Sequence, residues 1–295
     1  MKFLHLLRSG RAMGTILACA FFISLTNLPA HAFWDGAREE FHQTYPLQAG
    51  GRIELDNING AVHISTWDRD EVKVDAVKTA STKEKLDAAR IEVEANSGRV
   101  SIRTKYRDHD LTFTDHSRNN PATVEYTLTV PRAAQLDEIK LINGSLDISG
   151  VSGEVRASCI NGKMVATNLS GRAHLSSING HLVAAFDQLS KSVELDSVNG
   201  RVELTLPSDV NADLEASTMS GGISNDYGLR ASHHIVGHNL HGQLGNGGTR
   251  IKLSNVNGGI EVHHASDGRT LSPAKNLTGD QDKDDKDDED DKDDI

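Results

Sequence analysis

The sequence predicts an all-β protein: a parallel β-solenoid with two strands per coil of about 18 residues, a short helix and a disordered C-terminal tail. Three observations predict it. Glycine recurs every nine residues, at Gly144, Gly153, Gly162, Gly171 and Gly180. Apolar residues follow each glycine at the second, fourth and seventh positions, as in Leu146, Ile148 and Val151, or Met164, Ala166 and Leu169. The turns alternate in kind. Asn143-Gly144, Asn161-Gly162, Asn179-Gly180 and Asn199-Gly200 are separated by Ser152-Gly153, Ser170-Gly171, Ser190-Lys191 and Asn211-Ala212.

Each observation has a physical reading. Apolar residues two apart point to one face of a strand. The third apolar residue breaks that alternation, so the chain bends there. Glycine then supplies a turn conformation that a β-carbon disfavours. Because the turns alternate, the true repeat has two unlike sides, and like sides stack at roughly 4.8 Å. An array of hairpins would also alternate its turns, and Asn-Gly is itself a hairpin signal. Both arrangements remain open at the level of sequence.

In chain order, residues 1–32 read as a secretory signal. Lys2, Arg8 and Arg11 precede an uncharged stretch over residues 12–25, and Ala30-His31-Ala32 is a small-x-small cleavage site. Cleavage is expected before Phe33. A lipidated Cys19 and an uncleaved anchor are the rival readings; bulky Leu17 opposes the first and Pro29 the second. With Cys19 removed, Cys159 stands alone in the mature chain, so no intramolecular disulfide is expected. Cys159 has no His-Asp partner placed by the repeat and reads as a small residue beside a turn.

Residues 33–48 read as a lead-in, and residues 49–265 as the β-strand-repeat domain. Gly51 leads Ile53, Leu55 and Ile58; Asn59-Gly60 leads Val62, Ile64 and Trp67. Ser81-x-x-Glu84 is a capping-box pattern that predicts a short helix over residues 81–90. Strands are expected over residues 91–95, 99–104 and 123–130, the last stopping at Pro131, with a polar loop over 105–121. The loop over 232–242 holds His233, His234, His238 and His241, but Gly237 and Gly242 break any helix that would align them. It is read as no metal site, as are Asp108-His109-Asp110 and Asp115-His116. Thr249 leads Ile251, Leu253 and Val256, Asn257-Gly258 leads Ile260 and Val262, and this last repeat is expected to close the sheet. Residues 266–295 read as a disordered tail. Residues 280–295 carry eleven acidic side chains and three lysines, a net of −8 out of −11 for the whole chain. Such a run repels itself and buries no core.

Several of these motifs, taken in order, carry a resemblance. Gly-Arg-Ile-Glu-Leu and Asn-Ile-Asn-Gly over residues 51–60 are followed by Trp67-Asp68, Val130-Pro131 and the serial Asn-Gly turns. Leu204-Thr205-Leu206-Pro207 and Thr218-Met219-Ser220-Gly221 come next. Over residues 49–265 the chain resembles the bacterial adhesin-like family of β-strand-repeat proteins, a domain of unknown function. The resemblance implies an exported, solenoid-like protein and brings no catalytic residues with it.

The functional expectation is a non-enzymatic interaction module of the cell envelope, periplasmic or at the cell surface, with no cofactor. Its partner would be a protein or a surface glycan, with self-association a further option. Nucleic acid is excluded by export, acidity and few aromatics. After signal cleavage no membrane span is expected. A calcium roll is excluded because the strand positions hold Leu, Ile, Val and Ala where that fold carries Gly-Gly-x-Gly-x-Asp. The alternative is a carbohydrate-active lyase or hydrolase on a β-helix, which needs paired carboxylates or a basic-acidic cluster on one face. The structural turn residues are Asn59, Gly60, Asn143, Gly144, Asn161, Gly162, Asn179, Gly180, Asn199, Gly200, Asn257 and Gly258. Val165, Val183 and Ala185 form the candidate contact face.

Overall fold

The computed structural model describes residues 36–106, 121–233 and 237–277. The expected signal, the histidines at 109 and 116, His234 and the acidic run from residue 280 lie outside the described residues.

The protein is all-β apart from one short helix. In chain order the elements are β1 Ala37–Pro46, β2 Arg52–Asn59, β3 Val62–Trp67, β4 Glu71–Ala80, α1 Lys83–Ala88, β5 Ala89–Asn96 and β6 Arg99–Tyr106. After them come β7 Thr123–Pro131, β8 Gln135–Asn143, β9 Leu146–Ser149, β10 Val155–Asn161, β11 Met164–Leu169, β12 Ala173–Asn179 and β13 Leu182–Phe186. The remainder are β14 Val193–Asn199, β15 Val202–Leu206, β16 Ala212–Ser220, β17 Ile223–Asn225, β18 Ser232–His233, β19 His238–Leu244, β20 Thr249–Asn257, β21 Ile260–His264 and β22 Ala274–Asn276.

These strands form two open sheets. Sheet 1 has the order β1-β4-β7-β3-β9-β11-β13-β15-β21-β17. Sheet 2 has the order β18-β19-β16-β20-β14-β12-β10-β8-β2-β6-β5, with β22 paired to β19. From β8 to β17 the chain alternates between them, one strand in each. Neighbouring repeat strands are parallel: β10 pairs with β8 and β12, and β11 with β9 and β13. The register sets Asn161 opposite Asn143 and Asn179. A hairpin meander would have made these neighbours antiparallel.

The apolar phase of the sequence is the inward phase of both sheets. Leu146, Ile148, Leu175, Leu182, Leu195 and Leu204 are all buried, in one cluster with the inward residues of the flanking strands. Each such side chain contributes about 1.5–3 kcal/mol by leaving water. The seventh repeat position behaves differently on the two sides. Val151 and Leu169, before the serine turns, are buried; Ile160, Ile178 and Val198, before the asparagine turns, are exposed.

The ends depart from the expected scheme. Residues 37–46, read as a lead-in, form β1, which pairs antiparallel with β4 along its full length. The helix is capped by Thr82, whose side chain accepts from the Lys85 N–H, rather than by Ser81. The late repeat does not close the sheet. The chain turns back through β19, antiparallel to β16, so that β20 and β21 enter between earlier strands. β20 pairs with β14 on one side and β16 on the other, and β21 lies between β15 and β17.

Order also continues past residue 265, where a disordered tail was expected. The Ser208 N–H donates to Asp267 Oδ2 at 3.1 Å, Arg269 pairs with Asp209 at 2.7 Å, and Pro273 O accepts from Gly245 N–H. β22 then adds to β19. Hydrogen bonding from Ser208, with help from Arg269, holds the Asp267 carboxyl down at about 2.

Glycine is required at the asparagine turns. Gly162 has φ of 150°, a region that L side chains avoid, and a Cβ there would collide with the Gly144 carbonyl. Gly162→Ala should therefore lose at least about 2 kcal/mol in urea unfolding, whereas Gly98→Ala, where a Cβ would make only ordinary contacts, should stay within about 0.5 kcal/mol. The Asp267 tether predicts a pH effect. Its folded pKa is depressed, so its contribution is complete above the unfolded value of about 4 and is lost as pH falls through about 2. Amide protection over residues 266–277, relative to the intrinsic exchange rate at each pH, should fall across that window in the native chain. In Asp267→Asn it should be low throughout.

Candidate functional site

The rows of side chains created by the register are the chemistry this fold offers. The first is the asparagine column. Asn143, Asn161, Asn179, Asn199 and Asn257 donate from Nδ2 to Oδ1 of Asn59, Asn143, Asn161, Asn179 and Asn199 respectively, at 2.9–3.0 Å. Beside them the backbone repeats one bond, from Gly144 N–H to Asn161 O, Gly162 N–H to Asn179 O and Gly180 N–H to Asn199 O. Gly60, Gly200 and Gly258 hold the same place in their rungs.

In several rungs an inward side chain two residues before the turn caps a glycine carbonyl, whereas the Ser177 and Ser197 hydroxyls at the same place are buried without a partner. Asn57 Nδ2 donates to Gly60 O, Thr218 Oγ1 to Gly258 O and Asn255 Nδ2 to Gly200 O. Cys159 belongs to this column. It is buried and its Sγ–H lies 3.5 Å from Gly144 O. Burial pushes its pKa up, which opposes thiolate chemistry. At the N-terminal end Asn57 is also part of a buried network, in which Thr104 Oγ1 bonds both Asn57 Oδ1 and the Tyr126 hydroxyl. Sequence reading missed this network, because its members come from β2, β6 and β7.

The outward face of sheet 2 carries three rows. The first is charged: Arg156, His174, Glu194, Lys252 and Glu215 are register partners on β10, β12, β14, β20 and β16. The second is small and mostly uncharged: Ser158, Ser176, Asp196, Ser254 and Ser217. The third is apolar, the residue before each turn: Ile160, Ile178, Val198, Val256 and Met219.

The outward face of sheet 1 carries the sequence-predicted contact residues. Val165 pairs in register with Val183, and both are half-buried, as is Ala185. Asp147 flanks this pair on β9 and Glu203 on β15. The helix does not cover it, since α1 packs against β1, β4 and β5.

Other polar groupings are internally occupied. His174, Glu194 and Asp196 place donor atoms within 4.8 Å of one another. Lys252 Nζ already sits 3.0 Å from Glu194 and holds its carboxyl below the usual range, helped by His174. His233 Nδ1 meets His238 Nε2 at 3.1 Å, with a ring contact, while His241 faces Glu215 across the β16–β19 pair. An open cleft of about 460 Å³ includes Ser190, Asp209, Asn211 and Arg269, and its two charges are spent on each other.

The fold and these rows define a class: an all-β protein of tandem strand pairs whose exterior displays ordered columns of like residues. Residues 154–263 match the family described as Toastrack DUF4097, in agreement with the resemblance carried by the sequence motifs. The chain is similar to the crystal structure of a candidate cell adhesion protein from Clostridium sporogenes ATCC 15579. That similarity is 15% identity over 77% of this chain and 100% of the other, with a TM-score of 0.46. It is also similar to that of a candidate adhesin from Bacteroides fragilis NCTC 9343, at 11% identity over 77% and 97%, with a TM-score of 0.28. No curated protein matches it.

The column makes a mutational prediction. Asn179→Ala removes one donor and one acceptor from the middle of the ladder, leaving Asn161 Oδ1 and Asn199 Nδ2 unmatched. The column is exposed, so water can take up the freed groups, and urea unfolding should show a loss of about 0.5–1.5 kcal/mol.

Proposed function

We propose that this chain is an exported, non-enzymatic interaction module of the cell envelope. Its body is a parallel β-solenoid of two strands per coil, and its sheet 1 face meets a protein or an envelope glycan. One observation carries this reading: residues spaced along the sequence return to adjacent rungs, so Val165, Val183 and Ala185 become one uncharged patch on an outer face. Extended repeat surfaces of this kind serve recognition. The described carboxylates with displaced pKa values, among them Glu54, Glu194 and Asp267, are held low, chiefly by Arg99, Lys252 and Ser208. A glycosidic general acid needs the opposite shift. No helix among the described residues is long and apolar enough to cross a membrane, and the N-terminal signal supplies the route to the periplasm or cell surface.

The test pairs binding with turnover. Purified protein should bind an isolated envelope fraction saturably and release no reducing sugar from envelope polysaccharide. Val165→Lys/Val183→Lys should keep the fold and weaken that binding by roughly tenfold or more. Hydrolysis or lyase products would favour the enzyme reading. Unchanged binding by the folded double variant would remove this face from the site.

A further inference from the structure

The third outward row of sheet 2 is unlike any other part of the surface. The described residues include seven exposed large hydrophobics, and five of them stand in this row: Ile160 at 37%, Ile178 at 43%, Val198 at 39%, Val256 at 36% and Met219 at 60%. Half-buried Ile58 and Ile142 extend it to β2 and β8. Seven adjacent strands thus present one continuous apolar stripe, an arrangement that marks contact surfaces.

We propose that the outward face of sheet 2 pairs with the same face of a second copy, about a two-fold axis running along β12. Such an axis sets each strand against the one equally far from β12 on the other side: β10 on β14, β8 on β20, β2 on β16. In the apolar row Ile178 meets the partner's Ile178, Ile160 the partner's Val198, Ile142 the partner's Val256 and Ile58 the partner's Met219. Every apolar side chain therefore finds an apolar one.

The charged row obeys the same symmetry, and this chooses a second copy as the occupant. Arg156 falls opposite the partner's Glu194, and Asp137, which Arg156 contacts at 3.3 Å, opposite the partner's Lys252. Charges one and two strands from the axis are thus opposite in sign across it. His174 lies on the axis. The outermost pairing brings Glu54 towards the partner's Glu215, but each already carries an arginine, Arg99 or Arg250. In the small row Ser176 meets the partner's Ser176, Ser158 the partner's Asp196 and Lys140 the partner's Ser254, with no like charges opposed. Isologous contacts require this self-complementarity. Seven strands by three outward residues span roughly 34 Å by 20 Å, close to the ~800 Å² per partner of a stable interface.

Sedimentation velocity on the purified protein tests the proposal, with no envelope component present. The native chain should be a dimer by about 100 μM, well above a ~1 μM dissociation constant. Ile178→Arg sets two guanidinium groups face to face on the axis and should weaken dimerisation at least ~100-fold, with circular dichroism unchanged. If that variant does not fold, Ile160→Lys, one strand off the axis, makes the same test. Arg156→Glu should also weaken the dimer, and Arg156→Glu/Glu194→Arg should restore it. Val165→Lys, on sheet 1, should leave it intact, which keeps this result separate from envelope binding. A monomer throughout the concentration range overturns the proposal. So does a dimer that folded Ile178→Arg or Ile160→Lys leaves unaffected.

Discussion

Everything in this fold depends on how closely one rung can approach the next at the asparagine turn. Strands in register bring identical residues to the same point, rung after rung. For most residues that would be a steric or electrostatic conflict. Asparagine resolves it because its amide has a donor at one end and an acceptor at the other, so a column of amides bonds head to tail. Glycine resolves the backbone problem, since the carbonyl of one turn lies where the next turn's β-carbon would be. The two residues act together. The amide ladder fixes the register, and a fixed register keeps every inward leucine inward, because a slip by one residue would reverse each strand.

The same constraint organises the outside. Once register is fixed, outward residues at equivalent positions also stack, and the exterior becomes a set of rows, each with its own chemistry. The charged row of sheet 2 neutralises itself internally: Glu194 lies between Lys252 and His174, and Arg156 between Glu154 and Asp137. An apolar row has no such internal remedy. Sheet 1 keeps its uncharged patch to β11 and β13, bounded by Asp147 and Glu203, whereas the sheet 2 stripe runs unbroken across seven strands. The two faces therefore suit contacts of different extent.

The repeat was legible because its causes are local and recur. The spacing of Leu146 and Ile148, or of Leu182 and Ala184, reports a strand face directly, and Asn-Gly recurs because every rung faces the same problem at its turn. What escaped was set by distant partners. β1 has little alternation of its own and is a strand because β4 pairs with it. Residues 266–277 are ordered by Ser208 and β19, which nothing in their own composition announces. The seventh repeat position was misleading in a different way. Val151 and Ile160 look equivalent in sequence, yet only the serine-side turn folds its apolar residue under the sheet. The apolar row on sheet 2 was hidden by that equivalence, whereas the valines of sheet 1, a smaller patch, stand out in the sequence.

The position of β20 and β21 has a consequence for how the molecule is made. These strands lie near the end of the described chain, yet each sits between strands completed earlier, with Asn257 bonded to Asn199 from 58 residues upstream. Contacts that close such long loops are slow to form. A chain emerging from its N-terminus can build the stack as far as β14 and β15 and then must wait. Until residues 249–264 arrive, the edges of β14 and β15 expose unpaired backbone, the condition under which strands join wrong partners. Assembly therefore cannot proceed simply rung by rung from one end. The cooperative step is the entry of a late segment into a gap held open for it, and loss of that segment would strand the part already built with a reactive edge.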